Sequence, residues 1–116
     1  NLYEFWGDKI SKALNQQMKK LNSNVLINLA SNEYFNSVKT AKIDGRIISP
    51  VFKDYSNGDY KIISFFAKKA RGTMSSWLIK NRITSPKKIP SFSEDGYTYN
   101  EELSTPDKPV FLRRNE

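Results

Sequence analysis

The chain has 116 residues, enough for one hydrophobic core and too few for two. Hydrophobic residues make up 38% and aromatics 13%, which excludes wholesale disorder, and the lack of Cys and His excludes a disulfide framework, thiol chemistry, a Ser-His-Asp triad and the usual zinc ligand sets. The formal charge of +7 is unevenly placed: residues 39–90 carry twelve Lys and Arg against three Asp, a net +9, while residues 91–116 carry three against six acids, a net −3.

The chain opens at Asn1 directly in a helical pattern, without an initiator Met or a polar lead-in, and this reads as a cut inside a longer protein. Apolar residues at 2, 5, 6, 10, 13, 14, 18 and 21 follow the 3.6 period and predict an amphipathic helix over 2–21. Glu4 and Asp8 near its start and Lys19 and Lys20 near its end suit the helix macrodipole. Val25 to Ala30 is a short apolar run without alternation, which predicts a buried strand. Ser31 is a candidate N-cap for a short helix over 32–38.

Arg46 to Tyr55 is β-branched and aromatic, and Pro50 inside it implies an edge position or a bulge. Asn57-Gly58 is the strongest turn signal in the chain, and it predicts a β-hairpin spanning 46–67. Helical spacing returns over 68–82, with Ala70, Met74, Trp77, Leu78 and Asn81 as the inward stripe. Ser85-Pro86 starts a segment that can hold one helical turn. Tyr97–Tyr99 and Val110–Leu112 are short strand candidates in the acidic tail. The predicted fold class is therefore α+β: a mixed, mainly antiparallel sheet with its hairpin, packed by an N-terminal helix and a basic helix. No apolar run reaches the roughly 18 residues needed to span a bilayer, and no signal peptide is visible, so a cytoplasmic protein without a membrane partner is expected.

The basic helix carries the clearest functional pattern. At 100° per residue, Arg71, Ser75 and Arg82 fall along one flank of the inward stripe, and Lys69, Ser76 and Lys80 along the other. Cations neutralise phosphate charge and small hydroxyls donate hydrogen bonds without bulk, so Lys68, Lys69, Arg71, Ser75, Lys80 and Arg82 are the candidate nucleic-acid contacts. Thr73 and the helix N-terminus would add donors. A solvated Lys-rich helix is the plain alternative. Nothing in the pattern reads base edges, so no sequence specificity is expected.

The acids offer less. Asp54 and Asp59 flank the hairpin turn and read as turn residues. Glu94/Asp95 and Glu101/Glu102 could hold a hard cation, but adjacent acids in a polar tail fit a solvated surface better, so neither a metal nor a cofactor is expected. No Gly-rich phosphate loop is present, and an active site contained in this segment is not expected. Phe5, Trp6, Phe35, Phe65 and Trp77 are expected in the core. Tyr55, Tyr60, Tyr97 and Tyr99 are the aromatics expected to be exposed.

Three blocks carry a family resemblance: Asn1-Leu-Tyr-Glu-Phe-Trp-Gly-Asp8, Val25-Leu-Ile-Asn-Leu-Ala-Ser-Asn-Glu-Tyr-Phe35 and Ile62-Ile-Ser-Phe-Phe-Ala-Lys-Lys-Ala-Arg-Gly72. In this order and spacing they resemble the signature blocks of the bacterial YaaA family of peroxide stress proteins, and the likeness continues through Asn81-Arg-Ile and Phe92-Ser-Glu-Asp-Gly-Tyr97. The resemblance implies that residues 1–116 are the C-terminal segment of a larger single-domain protein whose N-terminal half is absent. It further implies a cytosolic protein that limits free intracellular iron under hydrogen peroxide stress. DNA binding through a positively charged cleft and a helix-hairpin-helix-like element is also implied. No Gly-x-Gly hairpin of that type occurs in this chain, so this segment would supply cleft wall and not the hairpin. Double-stranded DNA or another polyanion is the implied partner. Direct iron binding through carboxylates, and an enzyme acting on a phosphorylated or other anionic substrate, are the competing readings.

Overall fold

A computed structural model of the chain describes residues 18–22, 25–30 and 46–114. Strands β1 (Met18–Asn22), β2 (Val25–Asn28) and β3 (Arg46–Ile48) form a three-stranded sheet in the order β1-β2-β3. The β1–β2 pair is antiparallel and the β2–β3 pair is parallel. Strands β4 (Val51–Ser56), β5 (Asp59–Lys61), β6 (Thr98–Thr105) and β7 (Lys108–Arg113) form a second, four-stranded sheet in the order β5-β4-β7-β6. Its two hairpins are antiparallel, and β4 and β7 join them as a parallel central pair. Helix α1 (Ser64–Lys80) lies against β4.

The mixed α+β class read from the sequence is the fold observed. The Asn57-Gly58 turn forms as expected: both residues have positive φ, 53° and 87°, the geometry that twists a two-residue hairpin correctly. Pro50 marks neither a bulge nor a free edge. It sits at the corner where the run leaves β3 in one sheet and enters β4 in the other. The Ser49 N–H bonds the Asp107 carbonyl at 2.7 Å, tying that corner to the β6–β7 turn. Ser85 starts a 3-10 helix over Pro86–Ser91, two turns at three residues per turn where the sequence reading allows one, and its hydroxyl accepts from the Lys87 N–H.

Several boundaries differ from the sequence reading. Residues 18–22, expected to end a helix over 2–21, are strand, because Met18 to Asn22 pairs with Val25–Asn28; residues 2–17 and the helix expected over 32–38 lie outside the described residues. The hairpin strand ends at Lys61, and α1 runs from 64 to 80 instead of 68 to 82. Ile62 to Phe66 has strand-like composition, but Ala67, Ala70, Met74 and Leu78 form a buried helical stripe that extends the helical register backward.

The helix stops in a Schellman motif. Arg82 takes the left-handed position with φ 51°, the Arg82 N–H bonds the Ile79 carbonyl, and the Ile83 N–H reaches back to the Leu78 carbonyl at 3.0 Å. Ile83 then packs on the core that contains Leu78, the apolar contact that accompanies this motif.

That core is aromatic. Phe52 stacks on Phe111 across the β4–β7 pair, with centroids 5.4 Å apart. Phe92 and Tyr97 meet the Phe52 ring edge-on. Trp77 from α1 meets Phe92 at 5.3 Å. Edge-to-face and offset pairs of this kind add roughly 0.5–1.5 kcal/mol each beyond area burial. Phe65, expected inside, is 75% exposed because it lies on the outer side of the first turn of α1, whereas Tyr97, expected outside, is fully buried.

Candidate functional site

Charge is handled differently at the two ends of the β4–β7 pair. At the C-terminal end Asp54, read from the sequence as a turn residue, is 2% exposed. It precedes the turn by enough that its carboxylate faces the core. The Tyr97 hydroxyl donates to its Oδ2 at 2.6 Å, and Arg113 Nε donates to its Oδ1 at 2.5 Å. Arg113 also reaches Asp95 Oδ2 at 3.2 Å and lies over the Tyr97 and Phe66 rings. Gly96 permits this approach, since a Cβ there would stand 3.3 Å from the Arg113 stem. Burial, and then the hydrogen bond to Asp54, push the Tyr97 phenol well above its usual range. Burial works against the Arg113 charge, but the bond to Asp54 and the attraction of its neighbours outweigh it and raise the guanidinium above its ordinary value. No buried side-chain donor or acceptor among the described residues lacks a partner, so this cluster holds the sheet and the tail together.

At the other end, the Ser49-Pro50 corner opens into a cleft of about 560 Å³. Its walls come from the end of β2, from β4, from the first turns of α1 and from β7. Lys53, Arg71 and Lys108 contribute cations to the lining, Asn28, Ser49 and Ser64 contribute neutral polar groups, and no Asp or Glu is among the described lining residues. A concave wall with one sign of charge concentrates potential and attracts counter-charge. The N-terminus of α1 adds to it: Ile63 caps the helix with no side-chain hydrogen bond, and no acid lies in the first turn. Asn28 is positioned by its own turn, with Oδ1 accepting from the Ala30 N–H at 2.9 Å and Nδ2 donating to Ser49 Oγ at 3.3 Å. A second cleft of about 450 Å³ near the β6–β7 turn includes Arg46 and Glu101. There Arg46 is matched locally by Asp107 Oδ1 and the Pro106 carbonyl, both at 2.6 Å.

The residues singled out on the helix do not form one surface. Arg71 lines the cleft. Ser75, half-buried, lies one turn along the same flank, and exposed Lys68 borders it. Lys69 and Lys80 are exposed on the far flank, about 160–180° around the axis from Arg71 at 100° per residue. Arg82 lies beyond the helix end, in the left-handed cap. The Thr73 hydroxyl donates to the Lys69 carbonyl at 3.1 Å, within the helix. The sequence reading missed Lys53 and Lys108, which reach the cleft from strands far apart in sequence and carry no local signal. Among the described residues, no group of three or more His, Cys, Asp and Glu side chains comes together as a metal site. None of the described helices is long and apolar enough to cross a membrane.

Fold and site together define an α+β protein with a concave cationic surface at the junction of two sheets. The chain belongs to the family described as peroxide stress protein YaaA, whose model matches residues 1–103. It is 60% identical over 114 residues to a UPF0246 protein of Teredinibacter turnerae, an alignment covering 98% of this chain and 44% of that relative. It is 55% identical over 114 residues to a UPF0246 protein of Saccharophagus degradans, again covering 98% and 44%. A UPF0246 protein of Shewanella baltica is 49% identical over 116 residues, covering 100% of this chain and 45% of the relative. The chain thus spans under half the length of the curated relatives it matches.

Proposed function

We propose that this chain supplies the cationic wall of a cleft through which a cytoplasmic peroxide stress protein binds double-stranded DNA without sequence preference. The observation that carries this reading is the lining of Lys53, Arg71 and Lys108 with no described acid among them. Three cations held on one concave surface suit a row of phosphates, and neutral hydroxyl and amide groups between them suit phosphate oxygens. Lys68 and Ser75 extend the track along the same flank of α1, while Lys69, Lys80 and Arg82 add to the surrounding field. The role carries no catalytic step.

The test is fluorescence anisotropy of the full-length protein with duplexes of unrelated sequence, between about 50 and 200 mM salt. The logarithm of affinity should fall linearly with the logarithm of salt concentration and be the same for every sequence. Reversing charge at Arg71 and Lys108 together should weaken binding roughly tenfold or more and flatten the salt dependence by about one unit per lost contact. Salt-independent binding, or unchanged affinity in the doubly reversed variant, overturns the reading.

The size of the cleft favours a second reading. At about 560 Å³ it falls in the range of small-molecule sites, so a phosphorylated or other small anion could be the natural occupant, including as an enzyme's substrate. Micromolar competition by a mononucleotide against duplex DNA would select it. Limitation of free iron belongs to the proposal through the family's peroxide stress role. Direct ligation would draw on carboxylates beyond any described cluster, and ferrous titration of the full-length protein tests it.

A further inference from the structure

Helix α1 has two apolar sides. The inner one, Ala67, Ala70, Met74 and Leu78, is buried against the core. The outer one runs through Phe65, Gly72 and Ile79, spaced seven residues apart, a line about 21 Å long that drifts only about 20° per step. Phe65 is 75% exposed and Ile79 is 65% exposed. An amphipathic surface helix gives this side to charged and polar residues, so two large apolar groups here are out of pattern.

Gly72 makes the line informative. It sits in the middle of a 17-residue helix, where glycine is less favourable than alanine. It does not have a left-handed φ, and among the described residues nothing lies within 4 Å of where its Cβ would stand. Neither backbone conformation nor packing among the described residues requires glycine. What remains is close approach by something else to the outer side of the helix, between Phe65 and Ile79. A seven-residue apolar spacing is the seam used by elements that lie nearly parallel to a helix.

We infer that this line seats a segment of the YaaA-family polypeptide that lies outside these 116 residues, with its backbone crossing Gly72 and its apolar side chains covering Phe65 and Ile79. The relatives provide the material: more than half of the Teredinibacter turnerae protein lies outside the aligned region, of which this chain covers 44%. The inference rests on packing and stands whether or not the cleft binds DNA.

Two measurements on the full-length protein test it. Gly72→Ala reads the sign of the effect. On a solvent-facing helix alanine raises the melting temperature, whereas a backbone packed on Gly72 makes the added methyl a clash that lowers it, by about 2–4 °C or more. A photo-crosslinking phenylalanine analogue at position 65 or 79 then identifies the occupant. Crosslinks within a single polypeptide, mapping to peptides outside the 116 residues, are expected. A raised melting temperature for Gly72→Ala, crosslinks to a second copy, crosslinks to residues within the 116, or no crosslink from either position each overturns the inference.

Discussion

Strands β4 and β7 run side by side, yet their two ends treat charge in opposite ways. At the Asp54–Arg113 end a buried carboxylate meets a guanidinium and a phenol, and both carboxylate oxygens are matched from within. At the Val51–Val110 end the same strands open into a cleft that collects Lys53, Arg71 and Lys108 without a described acid in its lining. A matched buried cluster supports architecture, because its interactions are complete before any partner arrives. A concave surface lined by cations, with no described acid in its lining, attracts counter-charge from outside. The comparison separates polar residues that hold the fold from those suited to a ligand.

The largest effect that should separate the two ends is on stability. Asp54→Ala leaves the Arg113 charge, whose side chain is 11% exposed, without its closest partner and should cost about 3–5 kcal/mol in chemical denaturation. An intermediate effect should come from Tyr97→Phe, at about 1–3 kcal/mol, since Asp54 loses one donor and keeps Arg113. This variant also carries a pH signature. The folded phenol holds its proton more tightly than the unfolded one, so its contribution is fully present below the unfolded value of about 10 and is lost as pH rises beyond it. Stability measured between about pH 9 and 11 should therefore fall more steeply in the parent than in Tyr97→Phe. The smallest effect is expected at the cleft: Lys108→Ala should change stability by no more than about 0.5 kcal/mol while weakening DNA binding. A large loss of stability there, or a negligible one for Asp54→Ala, would erase the distinction.

What was legible in the sequence was local. The Asn57-Gly58 turn, the Ala70–Met74–Leu78 stripe and the Ser85-Pro86 start each declare themselves within a few residues, because turn φ angles, helical period and capping are local physics. Asp54 was misread because its partners lie 43 and 59 residues away and a nearer feature, the turn, offered an easier explanation. Met18 to Asn22 follows the helical period as well as any segment, but pairing with β2 decides its state. The helix cations were visible individually, and their division between a cleft flank and a far flank followed from the period. The contribution of Lys53 and Lys108 depends on which strands become neighbours, and no short window carries that information.

The corner at Ser49-Pro50 has a consequence for any anion that enters. Proline fixes one backbone torsion there, and the Ser49 N–H is tethered to the β6–β7 turn. The cleft is therefore cast around a stiff elbow, with a strand of each sheet as its two arms. A site of this kind selects as a mould does: a guest of the right contour enters with little rearrangement, and one of the wrong contour cannot make the walls yield.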